Sequence, residues 1–339
     1  MKSLQLLCIQ LATPLLLFGV NIKECKKRCG PLLIAFIAAS LSTLLASIIA
    51  YPLCSSLLIK AMGSDGLKIA AALMAKNVGG GINYIAVCKS LAASPNAIAA
   101  GLCVDNIFAL LYFPATSALA ASKPDPVDIS CEDDSEVDSQ DKDFGSRICA
   151  ESVSAAVATA ATITWLGEKF GGQAAALPLA TFFTILFTTF FSSTAKTLSS
   201  TGESLGTSLL YIFFATAGSP GLSIADSVKA SFFPIGLFLS LLYGIHGLSL
   251  VLVRKIVLLY HDMKSKRNTV VENMKDSFVM PSRLLCASSA AIGGPATAAA
   301  LAKANKWNSL VAPSLIVGNL GYATATFAGI AFYKYFSMC

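Results

Sequence analysis

One glycine-interrupted apolar stretch occurs twice in this chain, and that repetition constrains the fold more than any other feature. Gly80-Gly81 and Asn106 match Gly293-Gly294 and Asn319 at a single offset of 213 residues (294 − 81 and 319 − 106), with no gap. Between these anchors the copies share Ala86/Ala299, Ala99/Ala312, Leu102/Leu315 and Val104/Val317. Broken apolar segments at corresponding places in two halves of a membrane protein point to a transporter's binding site. Chance likeness between two Ala-rich helices is the plainer alternative, but the matches include Gly, Asn and Val.

The chain is 339 residues long, 55% hydrophobic and only 13% charged. A soluble domain carries about 25% charged residues, so this composition describes a polytopic membrane protein. Backbone polar groups in hydrocarbon must be satisfied within the segment, which predicts helices, and no period-two alternation suggests a β-barrel. Ten apolar segments are legible, at about 4–21, 31–59, 67–92, 95–121, 148–167, 174–198, 205–221, 229–260, 281–304 and 309–336. Each half of the two broken segments has about 11 residues, or roughly 16 Å of helix. That length reaches the middle of a core about 30 Å thick, so the broken segments are crossing helices or re-entrant hairpins, and length allows both.

The net charge of +6 concentrates in two loops, at Lys23, Lys26, Lys27 and Arg28 and at Arg254, Lys255, Lys264, Lys266, Arg267 and Lys275. It speaks of orientation rather than nucleic-acid binding, and both loops belong on the cytosolic or equivalent side. If all ten segments crossed once, these loops would fall on opposite sides. One earlier segment must therefore fail to span: either 67–92 is a hairpin or 148–167 lies in the interface. The two repeats then run in inverted directions. Residues 123–147 hold nine of the nineteen acids and read as a disordered linker.

The expected architecture is thus an all-α membrane protein of about ten transmembrane or re-entrant segments in two inverted-topology repeats with glycine-broken helices. The first repeat is 1–122, with its break near 79–81. The linker is 123–147, and the second repeat is 148–339, with its break near 293–295. Two apolar segments precede 205–221 but none precedes 4–21, so the first repeat is expected to be N-terminally incomplete, as in a truncated homologue.

Helix N-termini carry about half a positive charge and unpaired N–H groups. Gly80, Gly81, Asn83, Gly293, Gly294 and Thr297 are the expected substrate-binding residues, at half-helix starts that would attract an anion such as a carboxylate. Pro295 suits such a start. Close helix packing is the structural alternative for a Gly-Gly pair. Asp105 and Asn106 sit inside an apolar run, where a carboxylate is costly and marks function by default. With Asn319 they form the expected coupling-ion site for Na⁺ or H⁺, with Asn106 and Asn319 as paired amides. Lys76 stands near enough to the first break to pair with Asp105 or with an anionic substrate, and Lys89 near a segment end. The ten cysteines read as packing residues, and His246 and His261 are isolated. No HExxH, GxSxG or P-loop occurs, so neither an enzyme nor a bound cofactor beyond Na⁺ is expected.

The stretches KNVGGGINYIAVCKSL and AAGLCVDN, together with AAIGGPATAAALAKANKWNSLVAPSLIVGNLGYA near the end, resemble the DUF819 membrane proteins, from about Leu11 onward. The Gly-Gly segments are similar, more weakly, to those of glutamate–sodium and 2-hydroxycarboxylate symporters and of the cation/proton antiporter superfamily. The resemblance implies an inverted-repeat architecture and signature positions at Gly80, Gly81, Asn83, Asp105, Asn106, Gly293, Gly294 and Asn319. For a plant member it implies a plastid envelope. The function expected is secondary active transport coupling Na⁺ or H⁺ to a small organic anion or amino acid. The alternative is a non-transporting membrane partner or a passive channel. The expected partners are the lipid bilayer, that small solute and a second copy of the chain in a homodimer.

Overall fold

The computed structural model describes residues 2–20, 29–121, 123–126, 149–217, 222–264 and 278–338, and among these every regular element is a helix. In chain order they are α1 (Lys2–Leu17), α2 (Gly30–Met62), α3 (Asp65–Gly79), α4 (Gly81–Ser90), α5 (Pro95–Ala120), α6 (Ala150–Phe190), α7 (Ser192–Ala217), α8 (Leu222–Lys264), α9 (Pro281–Gly293), α10 (Pro295–Ala304) and α11 (Asn308–Met338). The basic stretch 23–28, most of the acidic linker and the loop 265–277 lie outside the described residues.

Among the described residues, four helical segments are long and apolar enough to cross a bilayer: Gly30–Met62, Pro95–Ala120, Val228–Tyr260 and Asn308–Met338. Their outer faces are apolar. On α2 the exposed residues include Ile34, Ile37, Leu41, Leu45 and Ile48, a stripe at helical spacing. So large an exposed apolar surface is the signature of contact with lipid. Proline and serine mark helix starts: Pro295, as expected, and also Pro95 and Pro281 stand in first turns, and Ser94 Oγ accepts from Ala97 N–H.

Both broken segments fold back on themselves. Cys286 Sγ lies 3.8 Å from the Ala298 carbonyl oxygen, although a continuous helix would hold residues twelve apart at about 18 Å. In the first segment Lys68 Nζ donates to the Ala92 carbonyl at 3.1 Å, and Ser94 N–H donates to Asp65 Oδ2 at 3.2 Å, closing the base of the hairpin. Of the two geometries that length allowed, the structure therefore has the re-entrant one. A third fold-back occurs within α6 at Gly172 (φ 59°), where the Phe170 and Phe183 rings come within 6.1 Å of each other.

The hairpins enter from opposite ends. Near the first hairpin's base, Gly66 packs on the Leu58 carbonyl late in α2, and the Tyr51 ring meets Phe332 edge-on and Phe336 at a tilt late in α11. At the second hairpin's base, Trp307 Nε1–H donates to the Lys123 carbonyl. There Cys29 Sγ, just before α2, lies 3.8 Å from the carbonyl of Pro313, early in α11. Parallel α2 and α11 thus flank both hairpins, whose tips point toward each other.

One boundary differs from expectation. Residues 199–204 are helical, inside α7, rather than a gap between apolar segments. Serines there are absorbed locally: Ser199 donates to the Lys196 carbonyl and Ser204 to that of Ser200. Gly202 and Gly206 admit Leu15, Leu16 and Phe18 at and just beyond the end of α1.

Candidate functional site

Each hairpin turns on one glycine, in nearly the same backbone state: Gly80 has φ 82° and ψ 179°, Gly294 φ 84° and ψ −175°. This region is open essentially to glycine alone. Both amides close the preceding helix, Gly80 N–H donating to the Lys76 carbonyl and Gly294 N–H to that of Ala290. The likeness continues to the hairpin ends. Ala92 and Lys306 both have positive φ, and Ala93 and Trp307 donate to the carbonyls of Cys88 and Ala302 in the same way.

These equivalences share an offset of 214 (294 − 80 and 306 − 92), one more than side-chain identity indicates. The glycine run 79–81 allows both alignments, and the backbone selects Gly80. The one-residue shift is confined to the hairpins: the helices that follow start at Pro95 and Asn308, an offset of 213 again (308 − 95), so Asn106 still corresponds to Asn319.

The tips meet. A methyl group on Gly80 would sit 3.8 Å from Gly294 Cα, and Tyr322 of α11 covers both glycines. α11 passes the tips closely by presenting Gly318 to Pro295 and Gly321 to the Val78 carbonyl. Gly81, Gly293 and Thr297 keep partial exposure and Ala296 is exposed, so the first turns of α4 and α10 are reachable. Asn83 and Thr297 instead brace the elbows. Asn83 Nδ2 donates to the Gly79 carbonyl at 2.7 Å, and its Oδ1 accepts from Thr326 at 2.6 Å. Thr297 Oγ1 lies 2.9 Å from the Gly294 carbonyl and 3.2 Å from that of Ser289. Thr297→Val removes the one hydrogen bond that this hydroxyl can donate and is expected to cost about 0.5–1.5 kcal/mol, read as a lower thermal midpoint in detergent.

Asp105 is 1% exposed, and its Oδ2 lies 2.8 Å from Lys76 Nζ, in the last turn of α3 before the elbow. Among the described residues no donor makes a well-aligned hydrogen bond to either Asp105 oxygen, so Lys76 answers it by charge. Asn106 is exposed, beside exposed Ile107, and does not join this pair. Asn319 is half-buried next to Gly19, just past the end of α1. Gly19 also lines a cavity of about 40 Å³ with Thr188, Ser192, Lys196 and Ser199, enough for water but not for a multi-atom solute.

Tyr322 and a set of buried polar side chains around His246 were not singled out by sequence reasoning. The available signal for Tyr322 was Gly318-x-x-Gly321-Tyr322, two small residues on one face of an apolar helix just before an aromatic.

A family model described as a protein of unknown function (DUF819) matches residues 3–264 and 278–339. The chain belongs to the DUF819 family. It is 28% identical over 354 aligned positions to the uncharacterized membrane protein YjcL of Bacillus subtilis (strain 168), covering 97% of this chain and 82% of that protein. No solved structure matches. Membership in the DUF819 family, the likeness to a membrane protein and the apolar helices together identify an integral membrane protein.

Proposed function

We propose that this DUF819 protein is a secondary active transporter that couples Na⁺ or H⁺ to movement of a small organic anion or amino acid, on two inverted-topology repeats. The observation that carries this reading is the meeting of the Gly80 and Gly294 elbows beneath Tyr322. Two half-helices, α4 and α10, begin at that point. Their N-terminal amides and dipoles favour a carboxylate there. Hairpins that enter from opposite ends are what an inverted repeat would build, and each can uncover the shared point toward its own side.

Asp105 and Lys76 are the proposed coupling pair. An ion pair in a low-dielectric interior is a switch with two outcomes. When Na⁺ or H⁺ takes the carboxylate, the ammonium is released beside the elbow, where an anionic solute answers its charge.

Proteoliposomes test this. Uptake of labelled small carboxylates and amino acids is measured under imposed Na⁺ and pH gradients. The wild type is expected to accumulate a solute under one gradient, and Asp105→Asn to insert normally but lose the gradient dependence. Gly294→Leu is expected to lose uptake more than insertion. Uptake that is gradient-independent in the wild type, or equally coupled in Asp105→Asn, contradicts the proposal.

A further inference from the structure

His246, isolated in sequence, is the centre of a buried relay across five helices. Its Nδ1 lies 3.0 Å from Thr43 Oγ1 on α2, and its Nε2 lies 2.7 Å from Ser288 Oγ on α9. Ser288 Oγ lies 2.7 Å from the Tyr112 hydroxyl on α5, and Thr43 Oγ1 also faces the carbonyls of Ala39 at 3.2 Å and Asn77 at 3.3 Å. His246, Thr43 and Ser288 are all buried.

Counting donors gives the chain a direction. A hydroxyl has one proton, and a carbonyl can only accept. Among the described residues the Tyr112 hydroxyl has Ser288 Oγ as its hydrogen-bond partner, so Tyr112 donates to Ser288 and Ser288 donates onward to Nε2. In the neutral ring Nδ1 then carries the hydrogen and donates to Thr43, whose own proton goes to a carbonyl. All hydroxyls point one way, from Tyr112 to the Asn77 carbonyl.

We propose that His246 is a proton-binding site loaded through Tyr112 and Ser288, separate from Asp105. This deepens the ion-coupled reading above and rests on it for its purpose. A proton from protonated water bonds to the Tyr112 oxygen as that oxygen passes its own to Ser288, and Ser288 passes its own to Nε2. One N–H bond is gained, each hydroxyl keeps one O–H bond, and no electrons are exchanged. The imidazolium then donates to Thr43 and Ser288, so the internal hydrogen bonds survive with two hydroxyls reversed. Among the described residues, the titratable and charged groups on the elements that meet it are Tyr112 and Asp105 of α5, Tyr243 one turn back on α8, Lys76 of α3, and Cys286 and the buried Arg283 of α9. α2 offers only hydroxyls at this level. At its far end the relay faces the Ala39 and Asn77 carbonyls, the second on α3, the helix that also carries Lys76.

The test is ¹⁵N-histidine solid-state NMR in lipid bilayers on His261→Asn, which leaves a single imidazole. At neutral pH the expected spectrum has a protonated Nδ1 and a bare Nε2, and acidification protonates Nε2. Tyr112→Phe, which removes one oxygen, is expected to slow proton exchange at the ring at least tenfold. Ser288→Ala is expected to abolish the tautomer preference; should that variant not fold, Tyr112→Phe decides alone. An Nε2–H tautomer at every pH, or exchange indifferent to Tyr112→Phe, overturns the proposal. Neither readout needs a solute or a gradient, so failure of the transport reading is seen separately.

Discussion

Asp105→Ala is expected to lower the stability of the detergent-solubilised protein by about 3–5 kcal/mol, the cost of leaving a buried charge without its partner. Lys76 is the stranded group: its side chain is 11% exposed, and its ammonium lies 2.8 Å from the carboxylate that would be removed. Removing both charges reverses the expectation. Lys76→Met with Asp105→Leu replaces the pair by apolar groups, which is often neutral or stabilising, because the desolvation cost of both ions disappears. The double variant should therefore be far more stable than Asp105→Ala, yet lose ion coupling. A double-mutant cycle by thermal or denaturant unfolding measures the difference. If Asp105→Ala is as stable as wild type, the pair is solvated and the coupling proposal loses its physical basis.

Gly80→Ala and Gly294→Ala are each expected to destabilise for two separable reasons. The first is backbone strain: φ of 82° or 84° with ψ near 180° costs any other residue on the order of 1–3 kcal/mol. The second is contact, since the new methyl would sit 2.8 Å from Tyr322 Cε1 at Gly80 and 2.9 Å from Tyr322 Oη at Gly294. Tyr322→Ala removes the contact and leaves the strain. In that background both glycine variants should recover part of their loss, with about 1–3 kcal/mol remaining. Full recovery would mean that the elbows have another backbone conformation in the membrane.

Much of this architecture was readable in the residues. The duplicated Gly-Gly segments, their half-bilayer length and the basic loops led to two breaks and to at least one segment that does not cross. Asp105 announced itself by standing alone in an apolar run. The sequence misled by one residue at the hinge itself, because three consecutive glycines allow two alignments and only the backbone state pairs Gly80 with Gly294. It left Asn106 beside Asp105, although adjacent helix positions point about 100° apart and the structure exposes one while burying the other. His246 looked isolated because its partners lie 42 and 203 residues away.

Local chemistry thus determined which segments are helical, that they belong in lipid, and where two of them must break, because hydropathy, proline placement and glycine's backbone freedom act within a few residues. Only the packed structure decided that the broken segments are hairpins with touching tips, which of three glycines is the hinge, and which carboxylate, ammonium and imidazole face one another. Those outcomes depend on contacts between residues tens to hundreds of positions apart, and no short-range pattern encodes which distant side chain will fill a given space.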